Sequence, residues 1–275
     1  MRTPTARVQV VVVDADGSRR RPDRVVTEEP MEIRIHGPNE SPRSVAITMR
    51  TPGNDFDLAV GFCVSEGLLR SRDDLEGVEY CVGGEGEQQY NIVTIARRSQ
   101  VGDEVRERNF LSTASCGVCG KATLDELEVR CAPVAPGPVY RWSALRELPR
   151  GLAERQRVFD VTGGLHAAAS FDADGSIDVV REDVGRHNAL DKLIGDAFLN
   201  REPPVSPRGV FLSGRIGFEL VQKAAVGGIG CIVAVGAPSS LAIDTARTFG
   251  ITVVGFVRDD RANIYTGAER IDLAT

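Results

Sequence analysis

Cys116 and Cys119 are the one spaced pair among the six cysteines of this 275-residue chain, in the run Ser112-Thr113-Ala114-Ser115-Cys116-Gly117-Val118-Cys119-Gly120-Lys121. Small residues flank the two sulfurs and leave them uncovered, which suits thiolate chemistry better than core packing. An ordinary cysteine titrates near pH ~8.5, and a neighbouring lysine or a helix N-terminus lowers that value. Lys121 and the helix expected over residues 122–129 supply both. Gly117 and Gly120 leave the backbone free to bend, as a nucleophile that visits a donor and then an acceptor requires. Two other readings stand beside this one. Half of a zinc site would need a second pair or histidines. Cys63, Cys81, Cys131 and Cys231 are isolated, and His36, His166 and His187 are far apart in sequence, which disfavours such a site and leaves sharing across a dimer open. A thioredoxin-type redox pair would follow a strand of a compact βαβ unit, whereas this pair follows a polar loop.

A second group of candidates sits at the ends of expected strands. Ser213-Gly214-Arg215 follows an apolar run at 209–212, and Arg258-Asp259-Asp260-Arg261 follows another at 251–257. Val235-Gly236-Ala237-Pro238-Ser239-Ser240 supplies hydroxyls where a helix should start. In open parallel sheets ligands bind beyond the carboxyl ends of the strands, and free backbone N–H groups and arginines there suit phosphates. Each signal alone is weak, because surface arginines and serine caps are common; three on one edge favour a nucleotide-like ligand. No P-loop and no Gly-x-Gly-x-x-Gly is present, so a plain ATPase or dinucleotide oxidoreductase is not supported. Thr162-Gly163-Gly164-Leu165-His166 and the segment 182–189 are dense in polar groups at loop-like positions. A lone histidine is more often structural than catalytic, and Asp183 is expected to cap a helix or pair with Arg186.

The elements that must position these groups fall into two textures. Residues 8–13, 45–49 and 90–96 are β-like, and a helix capped by Asn54 or Asp55 carries Phe56, Ala59, Val60, Cys63, Val64 and Leu68 at three/four spacing. Three prolines within 132–138 break the chain, and a helix over 142–156 bridges to the second half. There, strands at 177–181, 209–212, 231–235 and 251–257 alternate with helices at 187–199, 215–226 and 239–249, the pattern of a parallel sheet with helices on its faces. The expected division is 1–131, a smaller α+β domain ending in the Cys-x-x-Cys loop and its helix; 132–157, a linker; and 158–275, an α/β domain. Net charge is −6, with no basic field for nucleic acid. Arg19, Arg20, Arg21 and Arg24 are interspersed with Asp14, Asp16 and Asp23 and read as a solvated segment. No signal-peptide core and no apolar run of about 18 residues is seen, so a cytoplasmic protein without a membrane span is expected.

Six motifs together resemble the FdhD family of formate dehydrogenase accessory sulfurtransferases: Arg50-Thr-Pro-Gly-Asn-Asp55, Ser115-Cys-Gly-Val-Cys-Gly120, Thr162-Gly-Gly-Leu-His-Ala167, the run from Glu182 to Lys192, Leu212-Ser-Gly-Arg215 and Asn263-Ile-Tyr265. The resemblance runs from about residue 20 to the C-terminus. It implies a sulfur carrier that takes persulfide sulfur from a cysteine desulfurase and passes it to the bis(guanine dinucleotide) form of the molybdenum or tungsten cofactor of formate dehydrogenase. Cys116 is then the persulfide carrier, Cys119 the second thiol, and Phe256, Val257, Arg258, Asp259, Asp260 and Arg261 the stretch that contacts the cofactor; Ser213, Gly214 and Arg215 join it from the strand-end argument. The implied fold of the second domain is a three-layer α/β domain resembling cytidine deaminase without its zinc. The residues agree on the zinc: none of the three histidines begins a His-x-Glu, and Ser115 stands where Pro-Cys-x-x-Cys needs proline. A homodimer would bring two thiol loops together. A cofactor chaperone without sulfur chemistry and a zinc-stabilised scaffold are the alternatives.

Overall fold

The computed structural model describes residues 3–82, 88–101, 133–135, 137–200 and 209–274. Cys116, Cys119, Lys121 and the helix expected over 122–129 lie outside the described residues.

An antiparallel ribbon of β1 (Thr5–Asp14) and β2 (Gly17–Val26) opens the chain. The arginine-rich segment is solvated as expected, yet it is a strand, with Arg19 paired to Asp14 at 2.6 Å. A four-stranded sheet follows, in the order β4-β3-β6-β5, from β3 (Glu29–His36), β4 (Arg43–Arg50), β5 (Leu75–Val82) and β6 (Gln88–Arg97). The apolar runs at 45–49 and 90–96 fall in β4 and β6. β3 and β5 are not expected from the sequence: Glu32 and Arg34 fall between the apolar residues of β3, and Glu76 and Glu79 interrupt β5, masking the apolar face. Met31, Ile33 and Ile35 nevertheless take every second position in β3 and are buried beside Val93 and Ile95, as the two-residue period of a strand dictates. Helix α1 (Asp55–Ser65) packs against this sheet. Its cap differs from expectation. Asn54 occupies the cap position in a left-handed conformation (φ 55°) without a side-chain cap bond, and Asp55 is instead held by Arg50 at 3.0 and 3.1 Å.

The expected bridging helix is two shorter ones, α2 (Trp142–Leu145) and α3 (Leu148–Ala153), followed by α4 (Arg157–Thr162). Pro149 explains the division, since proline is accommodated in a first helical turn but not in the interior. The six-stranded sheet has the order β13-β12-β11-β10-β8-β9, from β8 (His166–Phe171), β9 (Ile177–Asp183), β10 (Gly209–Leu212), β11 (Cys231–Ala234), β12 (Thr252–Gly255) and β13 (Asn263–Thr266). The expectation of a parallel sheet holds only for β10, β11 and β12; β8 and β9, and β13 at the other edge, run antiparallel. The cause is a hairpin between β8 and β9. Asp172 Oδ1 accepts the amides of Asp174 and Ser176, and Gly175 takes φ 78°.

Alternation through the sheet builds three layers. Val210, Leu212, Ile232 and Ala234 join one core with α5 (Arg186–Asn200), α6 (Phe218–Val226) and α7 (Ser240–Thr248). Phe211, Cys231 and Val233 face the other way, into a core with Leu145, Leu148 and Leu152 of α2 and α3. The first core continues through α5 and α1 into the four-stranded sheet. A short parallel pair of β7 (Tyr140–Arg141) and β14 (Ile271–Asp272) ties the linker to the C-terminal segment. No helix among the described residues is long and apolar enough to cross a membrane.

The two halves meet where α1 crosses α5. A methyl group on Gly61 would lie 1.8 Å from the Asp191 carbonyl oxygen, and one on Gly195 would lie 1.8 Å from that of Asp57. The backbones therefore touch, and only glycine fits at either position. Gly61→Ala is expected to push the helices apart at a cost of about 3 kcal/mol, measured as a lowered urea midpoint; an unchanged midpoint would contradict this crossing.

Candidate functional site

The ends of the three parallel strands converge as the strand-end argument requires. Val235 N–H donates to Leu212 O (3.3 Å), Gly236 N–H to Gly214 O (3.2 Å) and Phe256 N–H to Gly236 O (3.2 Å). A methyl group on Gly236 would come 2.7 Å from the Gly214 carbonyl oxygen, so the loops after β10 and β11 are in backbone contact. Arg258 Nη1 donates to the carbonyls of Val235 (3.1 Å) and Val257 (2.9 Å), which anchors an otherwise exposed arginine at the edge. Arg215, Asp259, Asp260 and Arg261 are exposed, and the turn at 258–261 closes with Arg258 N–H donating to Arg261 O (2.9 Å). Phe256 is a large exposed aromatic in a left-handed backbone (φ 54°). Such strain in a bulky residue persists only where the surroundings enforce it, and it gathers at functional sites.

Some site candidates are placed differently from expectation. Val257 is fully buried and packs in the second core, with its N–H on Ala234 O; its side chain does not reach the strand-end surface. Helix α6 begins at Phe218, three residues after Arg215, because Ile216 bridges to Pro238 in extended conformation. Ser213-Gly214-Arg215 is therefore a loop and not a helix N-terminus. Ser213 is also engaged: its Oγ accepts from Ala167 N–H (2.8 Å) and its own N–H donates to Ala167 O (3.0 Å). The Ser239 hydroxyl is a structural cap, accepting from Ala242 N–H (3.2 Å).

Behind the loops lies a buried polar tie that carries two of the sequence motifs. Asp183 ends β9 and is fully buried with Lys192 of α5 at 2.8 Å. Asp183 also accepts from Thr51 N–H (3.1 Å), Gly185 N–H (2.9 Å) and Asn188 Nδ2 (3.0 Å), and Lys192 donates to the carbonyls of Thr51 (3.0 Å) and Glu182 (3.2 Å). The expected pairing of Asp183 with Arg186 is thus replaced: Lys192 lies on the inward face of α5, beneath the end of β9. Glu182 caps α4 instead, accepting the N–H groups of Val158 (3.1 Å) and Phe159 (2.8 Å). Further along α5, Asp191 holds Lys223 (2.9 Å) and Ser65 (2.8 Å), and Arg181 joins Asp57 (2.8 Å) to Asp196 (2.7 Å).

His166 opens β8 next to this tie, with its ring against Gly214. Burial lowers its pKa, the charges of Arg186 and His187 lower it further, and Asp183 opposes them. It is therefore a neutral imidazole at pH 7, able to donate from one nitrogen and accept at the other. His187 Nε2 lies 2.7 Å from Glu219 Oε2, and this contact holds the Glu219 carboxyl below its ordinary value. Three thiols lie among the described residues, and Cys81 is the partly exposed one. Cys63 and Cys231 are fully buried; burial raises both, Cys231 to about 12, so neither forms a thiolate readily at neutral pH.

The fold places the chain among three-layer α/β proteins whose parallel strands end in arginine-bearing loops, packed through α1 and α5 against a four-stranded sheet. A model of the FdhD/NarQ family matches residues 26–272, and the chain belongs to that family. It is 48% identical to the sulfur carrier protein FdhD of Streptomyces coelicolor, over 98% of this chain and 96% of the relative. It is 45% identical to the protein of the same name from Mycolicibacterium paratuberculosis, over 97% and 98%. A crystal structure described as a formate dehydrogenase accessory protein from Desulfotalea psychrophila shares the fold, with a TM-score of 0.75 at 23% identity, covering 98% of this chain and 99% of that one.

Two measurements check the tie and its neighbour. Lys192→Met leaves the Asp183 carboxylate buried without its cation and is expected to cost about 3–5 kcal/mol in denaturant titration; an unchanged midpoint would show that the pair is not buried as described. His166 should titrate below the ordinary 6.5 in an NMR pH series. The unfolded chain then binds its proton first as pH falls, so His166 favours the fold fully above 6.5 and progressively less through the window down to its lowered value. Wild type should lose more stability than His166→Gln between about pH 7.5 and pH 5; equal losses would refute the shift.

Proposed function

We propose that this chain is a sulfur carrier that serves the maturation of formate dehydrogenase. The observation that carries the reading is membership of the FdhD/NarQ family over residues 26–272, together with relatives named as sulfur carrier proteins along nearly their whole length. Cys116 is the carrier. Its thiolate attacks the outer sulfur of a persulfide on a cysteine desulfurase; the new S–S bond forms on Cys116 as the desulfurase thiolate leaves. Cys119 is the second thiol, positioned in sequence to receive or release sulfur by exchange. The inertness of Cys63 and Cys231 supports leaving this chemistry to the Cys-x-x-Cys run.

The acceptor in this reading is the bis(guanine dinucleotide) molybdenum cofactor, bound as substrate. Its pyrophosphates would lie at the strand-end cluster, where Arg258, Arg261 and Arg215 offer charge, the Ser213-Gly214 loop lies alongside, and Phe256 offers an aromatic face. A dimer, if formed, would present two carriers to one enzyme. The setting is a reducing compartment such as the cytoplasm, in which unpaired thiols persist.

Cys116→Ala is expected to abolish activation of formate dehydrogenase in a reconstituted assay while the far-UV spectrum and melting temperature stay at wild-type values. Full activation by a Cys116→Ala, Cys119→Ala double variant would overturn the reading. Arg258→Ala should weaken activation by roughly tenfold through lost phosphate contacts without altering sulfur loading on Cys116.

A further inference from the structure

We propose that the free edge of β1 is a docking site for an extended acidic segment of a partner protein, which adds to the N-terminal ribbon as a third strand. This surface plays no part in the sulfur carrier reading, and the two stand or fall separately.

Among the described residues β1 pairs with β2 alone, so one row of its backbone N–H and C=O groups lacks a strand partner there. Two strands without a core beneath them are marginally stable in water. Exposed edges are ordinarily blunted by charge, proline or a bulge. The outer edge of β2 has such protection in Pro22 and its arginines. β1 has none: from Val8 to Val13 it carries no charge, proline or glycine, and its pairing runs without a bulge. Val11 is 58% exposed and Val13 76%.

The register decides what the third strand must look like. Arg7 stands opposite Arg24 and Val11 opposite Arg20, so alternation puts Arg7, Arg20 and Arg24 on one face. These three make no ion pair with a described residue, and like charges directly opposite each other destabilise a strand pair. Glu29 lines the hollow beside Arg7 and Arg24, but it is engaged by Arg50 at 3.5 Å. On the other face Arg19 and Arg21 are matched by Asp14 (2.6 Å) and Asp23 (3.9 Å), and the β1 side chains are Val8, Val10 and Val12. A strand that alternates acidic and aliphatic residues meets both faces at once. Its aliphatic groups lie beside the valines, and its carboxylates lie beside Arg7. Arg20 and Arg24 are one strand further away, at ~4.8 Å per strand, within reach of two long side chains. Nucleic acid fits less well: it offers no strand backbone to the edge, and Asp14, Asp16 and Asp23 lie along the same ribbon. The ribbon is rooted against α4 and Gly164, where a methyl group would come 3.2 Å from Val26 Cγ1, so a partner held there sits beside the turn that leads into His166.

Fluorescence titration of the full chain with a labelled octapeptide of alternating glutamate and valine tests the assignment, beside the matching lysine–valine octapeptide. The glutamate peptide should bind about tenfold more tightly or better, and hydrogen exchange should slow at β1 amides between Val8 and Val13 when it is bound. An Arg7→Gln, Arg20→Gln double variant should weaken binding by about tenfold. Arg19→Gln, Arg21→Gln removes the same charge from the opposite face and should change binding less than about threefold. Both variants should melt at the wild-type temperature, since all four arginines are exposed. No binding of the glutamate peptide, equal losses from the two variants, or binding without slowed exchange on β1 would overturn the proposal. Tighter binding of a single-stranded oligonucleotide would overturn it too. So would protection of β1 that appears without peptide and grows with protein concentration, which would give the edge to a second copy of the chain.

Discussion

The contact between α1 and α5 is the constraint on which the rest of the structure depends. Two glycine backbones meet there without intervening side chains, and the helices approach closely enough for the polar groups around them to be shared. Asp183 and Lys192 bind each other and both bind the backbone of Thr51, which belongs to the loop leading into α1. Arg181 reaches from β9 to α1 and α5 at once. Buried ion pairs add little net stability over apolar packing, but losing one partner strands the other. Their effect here is geometric: a one-residue slip of α1 along α5 would leave several buried charges unsatisfied.

That frame sets the ends of β8, β9 and β10. His166 faces Gly214 because β8 pairs antiparallel with β10, and His166 faces Asp183 because β8 pairs with β9. Backbone contacts between the loops after β10, β11 and β12 then bring Ser213, Gly236, Phe256 and Arg258 onto one edge.

Much of this was legible in the sequence, and the failures have physical causes. The strand at 209–212 matched residue for residue, and α5 and α7 matched to within one residue at each end, because four-residue apolar runs and three/four spacing leave little ambiguity. Antiparallel β8 was hidden by Thr162-Gly163-Gly164-Leu165-His166, whose glycines and polar groups resemble a loop, and Asp174-Gly175 was not recognised as a hairpin turn. Glu182 and Asp183 read as part of a dense polar run over 182–189, but no spacing rule reveals that Lys192, further along the helix, is buried against β9 and the loop leading into α1. Gly61 and Gly195, each interior to a helix, were the available signal for that close approach. Val257 looked like part of a ligand stretch because its neighbours in sequence are exposed, while strand alternation turns it inward.

The central claim is that Cys116 holds sulfur in transit. Incubating the full chain with a cysteine desulfurase and cysteine, then mapping adducts by peptide mass spectrometry without reductant, tests it most directly. The account predicts one additional sulfur atom on the peptide carrying Cys116, absent from Cys63 and Cys231 and lost on exposure to dithiothreitol. A peptide that stays unmodified while formate dehydrogenase is still activated would contradict it.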